Sequence, residues 1–368
     1  MNDRIRQFSD RGFSPRVRRS VSHLLSPEGW QSVRYLPLLV LVMVALAACG
    51  SNTAPGAAPT VTHAADAATP ATLPALSPVS LAAGEKLHVV VTTSIIGDVV
   101  RNVGGDAIDL TQLLPPGTDP HSYQAKPDDL RQLNNADVIF INGLHLEEGM
   151  QSVLDSLDGG APVISVNIGV PTLEFSGSHT GEAANAGHEH GDADPHTWMD
   201  VRNVEHWVDT ISTVLSALDP TQREQYAANA AAYQTQLADL QDELVAEAAS
   251  LPPEKRKLVT DHDSLGYLAN AYGFTVVGAV IPSISTMAAP SAQDLAALQK
   301  QIEQEAVKAI FVSTTVNPDV AAQIAGDTRA TVVPIYTGSL SDARGPAATY
   351  IDMMRYDVKQ IVDALSGT

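Results

Sequence analysis

The sequence predicts an α/β protein with two lobes, each a mostly parallel four-stranded sheet flanked by helices, joined by a long rigid helix. Short runs rich in Val and Ile alternate with helical patterns, and this plan occurs twice along the chain. Such alternation is typical of parallel sheets built from βα units. Between the two sets, residues 221–251 contain neither Gly nor Pro, which predicts one uninterrupted helix.

The strands are predicted where short apolar runs are rich in β-branched residues. They are expected at residues 87–93, 108–113, 137–142, 163–167, 257–261, 274–280, 307–313 and 331–336. The helices between them are expected at 95–103, 127–135, 146–157, 265–272, 291–305, 318–326 and 346–365. The first lobe is therefore predicted at 86–203 and the second at 253–368.

Two helical stretches, 204–218 and 221–251, are predicted to connect the lobes within residues 204–252. Thr221 and Glu224 have the spacing of a capping box, so the second helix is expected to begin there. At 1.5 Å per residue it would be about 46 Å long, the length of a whole lobe. A connection of this length permits only small relative movement of the lobes. Two shorter helices with a break between them are the alternative.

The first 48 residues are predicted to be a lipoprotein signal peptide. Its apolar run, 36–48, is too short to span a bilayer and has the length of a signal core. Residues 46–49, Leu-Ala-Ala-Cys, resemble a bacterial lipobox, which implies cleavage before Cys49 and its lipidation. Cys49 is the only cysteine, and an ordinary signal peptide with an incidental cysteine is the alternative. Residues 49–85, rich in Ala, Pro and Thr, are predicted to be a disordered tether to the cell membrane.

The charge of the chain argues against one class of partner. The net charge is −20, and the leader holds seven of the 22 basic residues, so the remaining body is more acidic than the whole. Nucleic acid is therefore an unsuitable partner, because its binding requires a basic surface.

Two copies of Asp-Pro-His, at 119–121 and 194–196, are candidate ligand corners. Proline restricts the backbone before it and its own φ, so His121 and His196 leave stiff turns. Ordinary turn chemistry followed by a chance histidine is the alternative. His262 and Asp342 each follow a predicted strand, where ligands of α/β proteins gather. Three imidazoles and a carboxylate suit Zn²⁺, Mn²⁺ or Fe²⁺ better than Ca²⁺ or Mg²⁺.

Five motifs occur in a characteristic order along the chain. They are GTDPHSY (117–123), ADVIFINGLHLE (136–147), DPHTWMD (194–200), TDHDSLGY (260–267) and SDARG (341–345). Together they resemble the zinc- and manganese-binding solute-binding lipoproteins of bacterial ABC importers. The resemblance runs from about residue 86 to the C-terminus and implies two α/β lobes bridged by a long helix, with metal in the cleft.

The resemblance also implies a ligand set and a function. The ligands fall on His121 and His196 from the first lobe and on His262 and Asp342 from the second. A histidine at 262, where manganese-type members often carry glutamate, favours zinc. The expected function is high-affinity extracytoplasmic capture of Zn²⁺, with Mn²⁺ or iron as alternatives, and delivery to a permease and its ATPase. A monomer without enzymatic activity is expected, since four protein ligands leave little room for an activated water.

Other functions and other histidines remain open alternatives. A lipid-anchored metal-dependent hydrolase would need an open coordination position, and His188-Glu189-His190 lacks the i, i+4 spacing of a metalloprotease helix. A surface adhesin is a third possibility that no sequence feature tests. His145 is expected to lie outside the site. The Gly-rich loop 176–193, with three histidines, either collects metal or is an ordinary surface loop.

Overall fold

The structure, a computed structural model, describes residues 72–157, 160–174 and 193–367. In the first lobe four parallel strands form a sheet in the order β2-β1-β3-β4. These strands are β1 (Leu87–Val91), β2 (Ile108–Gln112), β3 (Val138–Ile141) and β4 (Val163–Ser165). Their Val and Ile side chains are buried on both faces, because helices cover the sheet on each side.

The second lobe repeats this topology with the strand order β6-β5-β7-β8, again all parallel. The strands are β5 (Lys257–His262), β6 (Thr275–Ile281), β7 (Ala309–Ser313) and β8 (Thr331–Ile335). All the predicted strands are therefore present, with ends that move by one or two residues, and the predicted fold class is confirmed. One of these shifts matters for the site, because β5 extends to include His262.

The helices occupy the stretches that alternate with the strands. They are α1 (Ser94–Gly104), α2 (Pro127–Asn134), α3 (Gln151–Asp155), α4 (Val201–Leu218), α5 (Arg223–Ala249), α6 (Gly266–Tyr272), α7 (Ala292–Gln304), α8 (Asp319–Thr328) and α9 (Tyr350–Ser366). None of the helices in the described ranges has both the length and the apolar character needed to cross a membrane.

The predicted helix at 146–157 is wrong in its first half. A 3₁₀ turn, Glu148–Met150, precedes the short α3 instead. Leu144 and His145 both have positive φ, so the chain reverses just before this point. Gly149 then packs directly against the backbone of Tyr123, where a Cβ would overlap it. A regular helix would carry the chain away from that contact, and the tight turn keeps Glu148 beside the loop that contains His121.

The long helix α5 has 27 residues, so it is about 40 Å long. The capping box predicted at Thr221 is absent, because a 3₁₀ turn, Pro220–Gln222, precedes α5 and Asp219 caps that turn. Asp219 Oδ1 accepts hydrogen bonds from the N–H and hydroxyl of Thr221. One face of α5 is buried at three- or four-residue intervals: Tyr226, Ala230, Tyr233, Leu237, Leu240, Leu244 and Ala248. This face packs on α1 and α4 of one lobe and on α9 of the other.

The segment that precedes β1 corrects part of the predicted tether. Residues 72–85 form neither helix nor strand, and Leu73, Leu76, Val79 and Leu81 pack against the main hydrophobic core. Val79 N–H donates to the carbonyl of Leu218 at the end of α4. Helix ends leave carbonyls unpaired, so this contact satisfies one of them. The prediction of disorder is therefore wrong for these residues, while the predicted signal peptide and Cys49 lie outside the described residues. The predicted domain boundaries stay predictions.

Candidate metal centre

The His121 ring is placed by the loop that follows β2. Asp119 Oδ1 accepts a hydrogen bond from the backbone N–H of His121 at 3.1 Å, and Pro120 stiffens the turn between them. The ring is buried, with 2% exposure. Its Nδ1 lies 3.5 Å from Glu148 Oε1, at the outer limit of a hydrogen bond. The second nitrogen, Nε2, faces the other two histidines.

The His196 ring is held more tightly, by the second Asp-Pro corner. Asp194 Oδ1 accepts from the backbone N–H of His196 at 2.9 Å and contacts the ring Nδ1 at 2.8 Å. Since Nδ1–H donates its hydrogen bond to the carboxylate, Nε2 carries the lone pair that a metal requires. The corner closes the base of the predicted His-rich loop, where Glu174 pairs with Ala193 in an antiparallel bridge. Residues 175–192 of that loop lie outside the described residues.

The His262 ring comes from the other lobe, as the last residue of β5. Asp261 Oδ1 contacts the ring Nδ1 at 3.1 Å and accepts from the backbone N–H of His262 at 2.9 Å. Asp261 Oδ2 accepts from the N–H of Ser313, at the end of β7, at 3.0 Å. The carboxyl ends of two neighbouring strands therefore fix this ring.

The three rings meet between the lobes with their Nε2 atoms together. His196 Nε2 lies 3.3 Å from His121 Nε2 and 3.3 Å from His262 Nε2. Zinc with Zn–N bonds of about 2.0–2.1 Å in tetrahedral geometry separates its nitrogen ligands by about 3.3 Å. One ligand atom from each residue lies within 4.8 Å of the others, and all three residues are buried. The arrangement can therefore hold one transition-metal ion by three nitrogens and leaves a fourth position for another donor.

Burial and neighbouring charges set the protonation of these groups. Burial is the largest cause that lowers the pKa of His196, and the charges of His262 and His121 add to it. Burial likewise raises the pKa of the Asp194 carboxyl to about 7. Burial by itself would lower the pKa of His262, but the charge and hydrogen bond of Asp261 outweigh it, and the net shift is upward. His196 therefore offers a free lone pair more readily than His262, from which a metal must displace a more firmly held proton.

The structure brings together three of the four predicted ligands. Asp342 lies on an exposed loop after β8, where its Oδ1 accepts from the N–H of Arg344, and it is outside the histidine cluster. Gly- and Ser-rich loops have no regular hydrogen bonding that fixes their path, so the sequence could not place this carboxylate. His145 is exposed and outside the cluster, as predicted.

Two residues near the site were missed by sequence reasoning. Glu148 faces His121, and it lies in a segment predicted to be helical, so nothing in its spacing indicated this position. Burial acts to raise its pKa, but the His121 ring and the Ser285 hydroxyl outweigh burial and lower it. Trp198 packs edge-on against His196 with ring centroids 5.3 Å apart. Its position two residues after the histidine, within one of the five motifs, was a signal that could have indicated it.

The fold and this cluster define the class as a two-lobed metal-binding protein, with three histidines gathered between the lobes in the part of the chain that the structure describes. The sequence model of the ZnuA family, described as zinc-uptake complex component A, periplasmic, matches residues 89–364. "Zinc-binding protein TroA" of Treponema pallidum is 36% identical over 291 residues, covering 77% of this chain and 91% of that protein. "Manganese-binding lipoprotein MntA" of Halalkalibacterium halodurans is 32% identical over 284 residues, covering 77% and 90%.

Solved structures agree with these similarities. Periplasmic zinc-binding TroA from Treponema pallidum has a TM-score of 0.68 at 32% identity, covering 76% of this chain and 99% of that one. A manganese-bound periplasmic metal-binding protein from Candidatus Liberibacter asiaticus has a TM-score of 0.66 at 32% identity, covering 75% and 99%. The chain belongs to the ZnuA family of periplasmic metal-binding lipoproteins of ABC importers, and the predicted resemblance is confirmed.

Proposed function

We propose that this protein captures a divalent transition metal, zinc, outside the cytoplasm and delivers it to the permease of an ABC importer and, through it, to the ATPase. His121, His196 and His262 are its ligands. The observation that carries the proposal is the meeting of three Nε2 atoms with two separations of 3.3 Å, the spacing that suits tetrahedral zinc.

The chemistry of the donors supports zinc over manganese. Imidazole nitrogen suits Zn²⁺, whereas carboxylate, carbonyl and water oxygens suit Mn²⁺. The carboxylates that contact the site histidines, Asp194, Asp261 and Glu148, do so at the Nδ1 atoms and therefore on the side away from the Nε2 cluster. Relatives are named for both metals, so a manganese or iron carrier of the same type is the alternative that the experiment must separate.

Asp342 is proposed as the fourth ligand, after a local movement of its loop. The start of that loop is already close to the site: a Cβ on Gly338 would lie 3.2 Å from Cδ of Pro120, the neighbour of His121. The exposed part, residues 341–345, is held mainly by its own short-range hydrogen bonds. A rearrangement confined to these residues leaves both sheets unchanged.

Ligands from both lobes couple metal occupancy to lobe arrangement, which a permease could recognise. His121 and His196 belong to the lobe with the first sheet and His262 to the lobe with the second. A lipid anchor on Cys49 would keep the monomeric protein at the membrane beside the permease, with its first described residues already docked on the body. The histidine-rich loop, residues 176–193, would supply weak sites that collect zinc.

A metal-dependent hydrolase is the alternative from another class. Three histidines with an open fourth position can activate water, but the reaction also needs a general base beside that water. The carboxylates paired with the rings are engaged at Nδ1. We therefore expect no hydrolytic turnover, and turnover abolished by His196→Ala would favour the enzyme.

The test is native mass spectrometry of protein purified from its own membrane, followed by competition between Zn²⁺ and Mn²⁺. We expect one zinc ion per chain, lost in His262→Ala. Asp342→Ala is expected to retain one ion with weaker affinity, and His145→Ala serves as the matched control with unchanged binding. Recovery of manganese, with zinc unable to support growth through the importer, would show that the transported metal is manganese and not zinc. Absence of any bound metal at micromolar zinc would overturn the proposed function.

A further inference from the structure

Trp198 connects the metal centre to the second lobe. It lies in the 3₁₀ turn that follows His196 and is buried, with 2% exposure. Its indole N–H donates to the carbonyl of Thr337 at 2.9 Å, and its own carbonyl accepts from the hydroxyl of Tyr350 at 2.7 Å. Both partners come from the second lobe. One residue thus contacts a candidate ligand with its ring and the opposite lobe with its indole N–H and its backbone carbonyl.

The carbonyl that Trp198 holds is at the start of the loop that carries Asp342. Thr337 is fully buried, two residues after β8, and the loop continues through Ser339 and Leu340. These residues are also hydrogen-bonded to the first lobe: Ser339 Oγ contacts Ser94 Oγ at 3.0 Å and accepts from a loop N–H at 2.8 Å, and Leu340 N–H donates to Ser94 Oγ. Residues 337–340 are therefore fixed on the first lobe, and Asp342 begins the exposed part immediately beyond them.

This arrangement gives Trp198 a role that packing alone does not require. We infer that Trp198 is a positioning residue that fixes the start of the Asp342 loop relative to His196, and so sets the rate at which the metal leaves. The inference rests on the proposed function. Without the indole N–H, the buried Thr337 carbonyl loses its partner, which favours displacement of the loop. A displaced loop would bring Asp342 to the ion less often, and the ion would dissociate faster.

The chain provides a matched control for this tryptophan. Trp207 is also fully buried, and its indole N–H donates to Asn167 Oδ1 at 2.8 Å, within the first lobe. Trp198→Phe and Trp207→Phe therefore each remove a buried indole donor, but only the first loses a bond to the second lobe. The two rings are neighbours, with centroids 6.4 Å apart, and phenylalanine keeps an aromatic ring at either position. Ser339→Ala tests the same loop from its other contact, without changing an aromatic side chain.

The experiment measures zinc release into excess chelator by stopped flow, with stoichiometry and the thermal midpoint of the metal-free protein. We expect Trp198→Phe to accelerate release about three- to tenfold at unchanged stoichiometry, the effect of losing one hydrogen bond. Ser339→Ala should accelerate release in the same direction. Trp207→Phe should lower the thermal midpoint as much as Trp198→Phe does and change release less than about twofold.

A double-mutant cycle separates positioning from a general loss of stability. In the Asp342→Ala background, Trp198→Phe should add no further acceleration, because the loop then has no ligand to position. Equal release rates for the two tryptophan variants, or an undiminished effect of Trp198→Phe without Asp342, would overturn the inference while zinc binding by the wild type stands. A wild-type protein that takes up no zinc in the same titration would overturn the proposed function itself.

Discussion

The two lobes have the same topology but present their histidines differently. Each sheet has its first strand in a central position, with the second strand outside it and the third and fourth on the other side. In the second lobe the proposed ligand His262 ends the central strand β5. In the first lobe the central strand β1 is followed by Thr93, which caps α1, and the histidines come from later loops. Shared topology therefore places the site at the carboxyl ends of the strands but does not specify which segment supplies the ligand.

The two Asp-Pro-His corners of the first lobe also differ. In both, the aspartate accepts the backbone N–H of its histidine. Asp194 also contacts the ring Nδ1, whereas Asp119 Oδ2 accepts from the Ser122 and Thr286 hydroxyls. Thr286 belongs to the second lobe, so Asp119 links the two lobes, whereas Asp194 orients the His196 ring. Identical tripeptides give the same turn, and tertiary contacts decide the role of the carboxylate.

The strongest test of the lobe comparison removes one ligand from each lobe. Loss of an outer hydrogen-bond partner of a metal ligand lowers metal affinity roughly 10- to 100-fold. His196→Ala and His262→Ala should each lower zinc affinity by more than this. Each variant removes one of three nitrogen donors and takes the ring Nδ1 contact from a buried aspartate. Competition with a chromophoric chelator measures the affinities. An unchanged affinity in His262→Ala would place the whole site in the first lobe.

The next test separates the two corners. Asp194→Asn should lower zinc affinity about 10- to 100-fold, because the ring Nδ1 loses its carboxylate. Asp119→Asn should change it less than about threefold, which is below 1 kcal/mol. Asp261→Asn is expected to match Asp194→Asn, since Asp261 contacts the same two groups of its histidine, the ring Nδ1 and the backbone N–H. Isothermal titration at fixed pH provides the measurement, and equal losses at Asp119 and Asp194 would remove the distinction between the corners.

The smallest expected effects distinguish the buried carboxyls of the two lobes. Glu147 of the first lobe accepts from the Thr92 hydroxyl and from the N–H groups of Asn142 and Gly143. Asp357 of the second lobe accepts from the Tyr336 N–H through Oδ1, and its Oδ2 has no partner among the described residues. Burial raises the pKa of both carboxyls, that of Asp357 well above its ordinary range.

These contacts predict opposite changes in the free energy of unfolding for Asp357→Asn and Glu147→Gln. Because burial raises the pKa of Asp357, the folded protein holds this proton to higher pH than the unfolded chain, which releases it above about pH 4. Its contribution to stability is therefore complete below pH 4 and is lost as pH rises toward the raised pKa. Asp357→Asn should raise the free energy of unfolding by about 1–3 kcal/mol at pH 8, and the gain should vanish toward pH 4.

Glu147→Gln should instead destabilise the protein by about 1–3 kcal/mol, because the glutamine NH₂ group would face a group that is itself a hydrogen-bond donor. Urea unfolding of the metal-free protein at several pH values measures both substitutions. The exposed Asp363→Asn, on the same helix as Asp357, serves as the control and should change stability little at any pH. A pH-independent effect of Asp357→Asn would show that the carboxyl is ionised in the folded protein.

Sequence reasoning succeeded where local chemistry decides structure. The runs of Val and Ile at Leu87–Val91 and Ala309–Ser313 gave strands, because buried parallel strands require continuous apolar segments. It was wrong at the start of α5, where Thr221 and Glu224 have a capping spacing but Asp219 takes the cap of the preceding turn. It was also wrong for residues 72–85. Apolar residues spaced among prolines show no helix or strand periodicity, and their burial depends on the core surface on which they pack.

The sequence by itself determined the sheets, the long helix and both Asp-Pro-His corners. These depend on backbone propensity and on hydrogen bonds between residues two or three apart, which short segments specify. Only the tertiary structure decided that Asp119 and Asp194 act differently, that Asp342 lies on an exposed loop, and that Trp198 joins His196 to that loop. Those outcomes depend on contacts such as Trp198 with Thr337, 139 residues apart, which form only when both lobes pack on one helix.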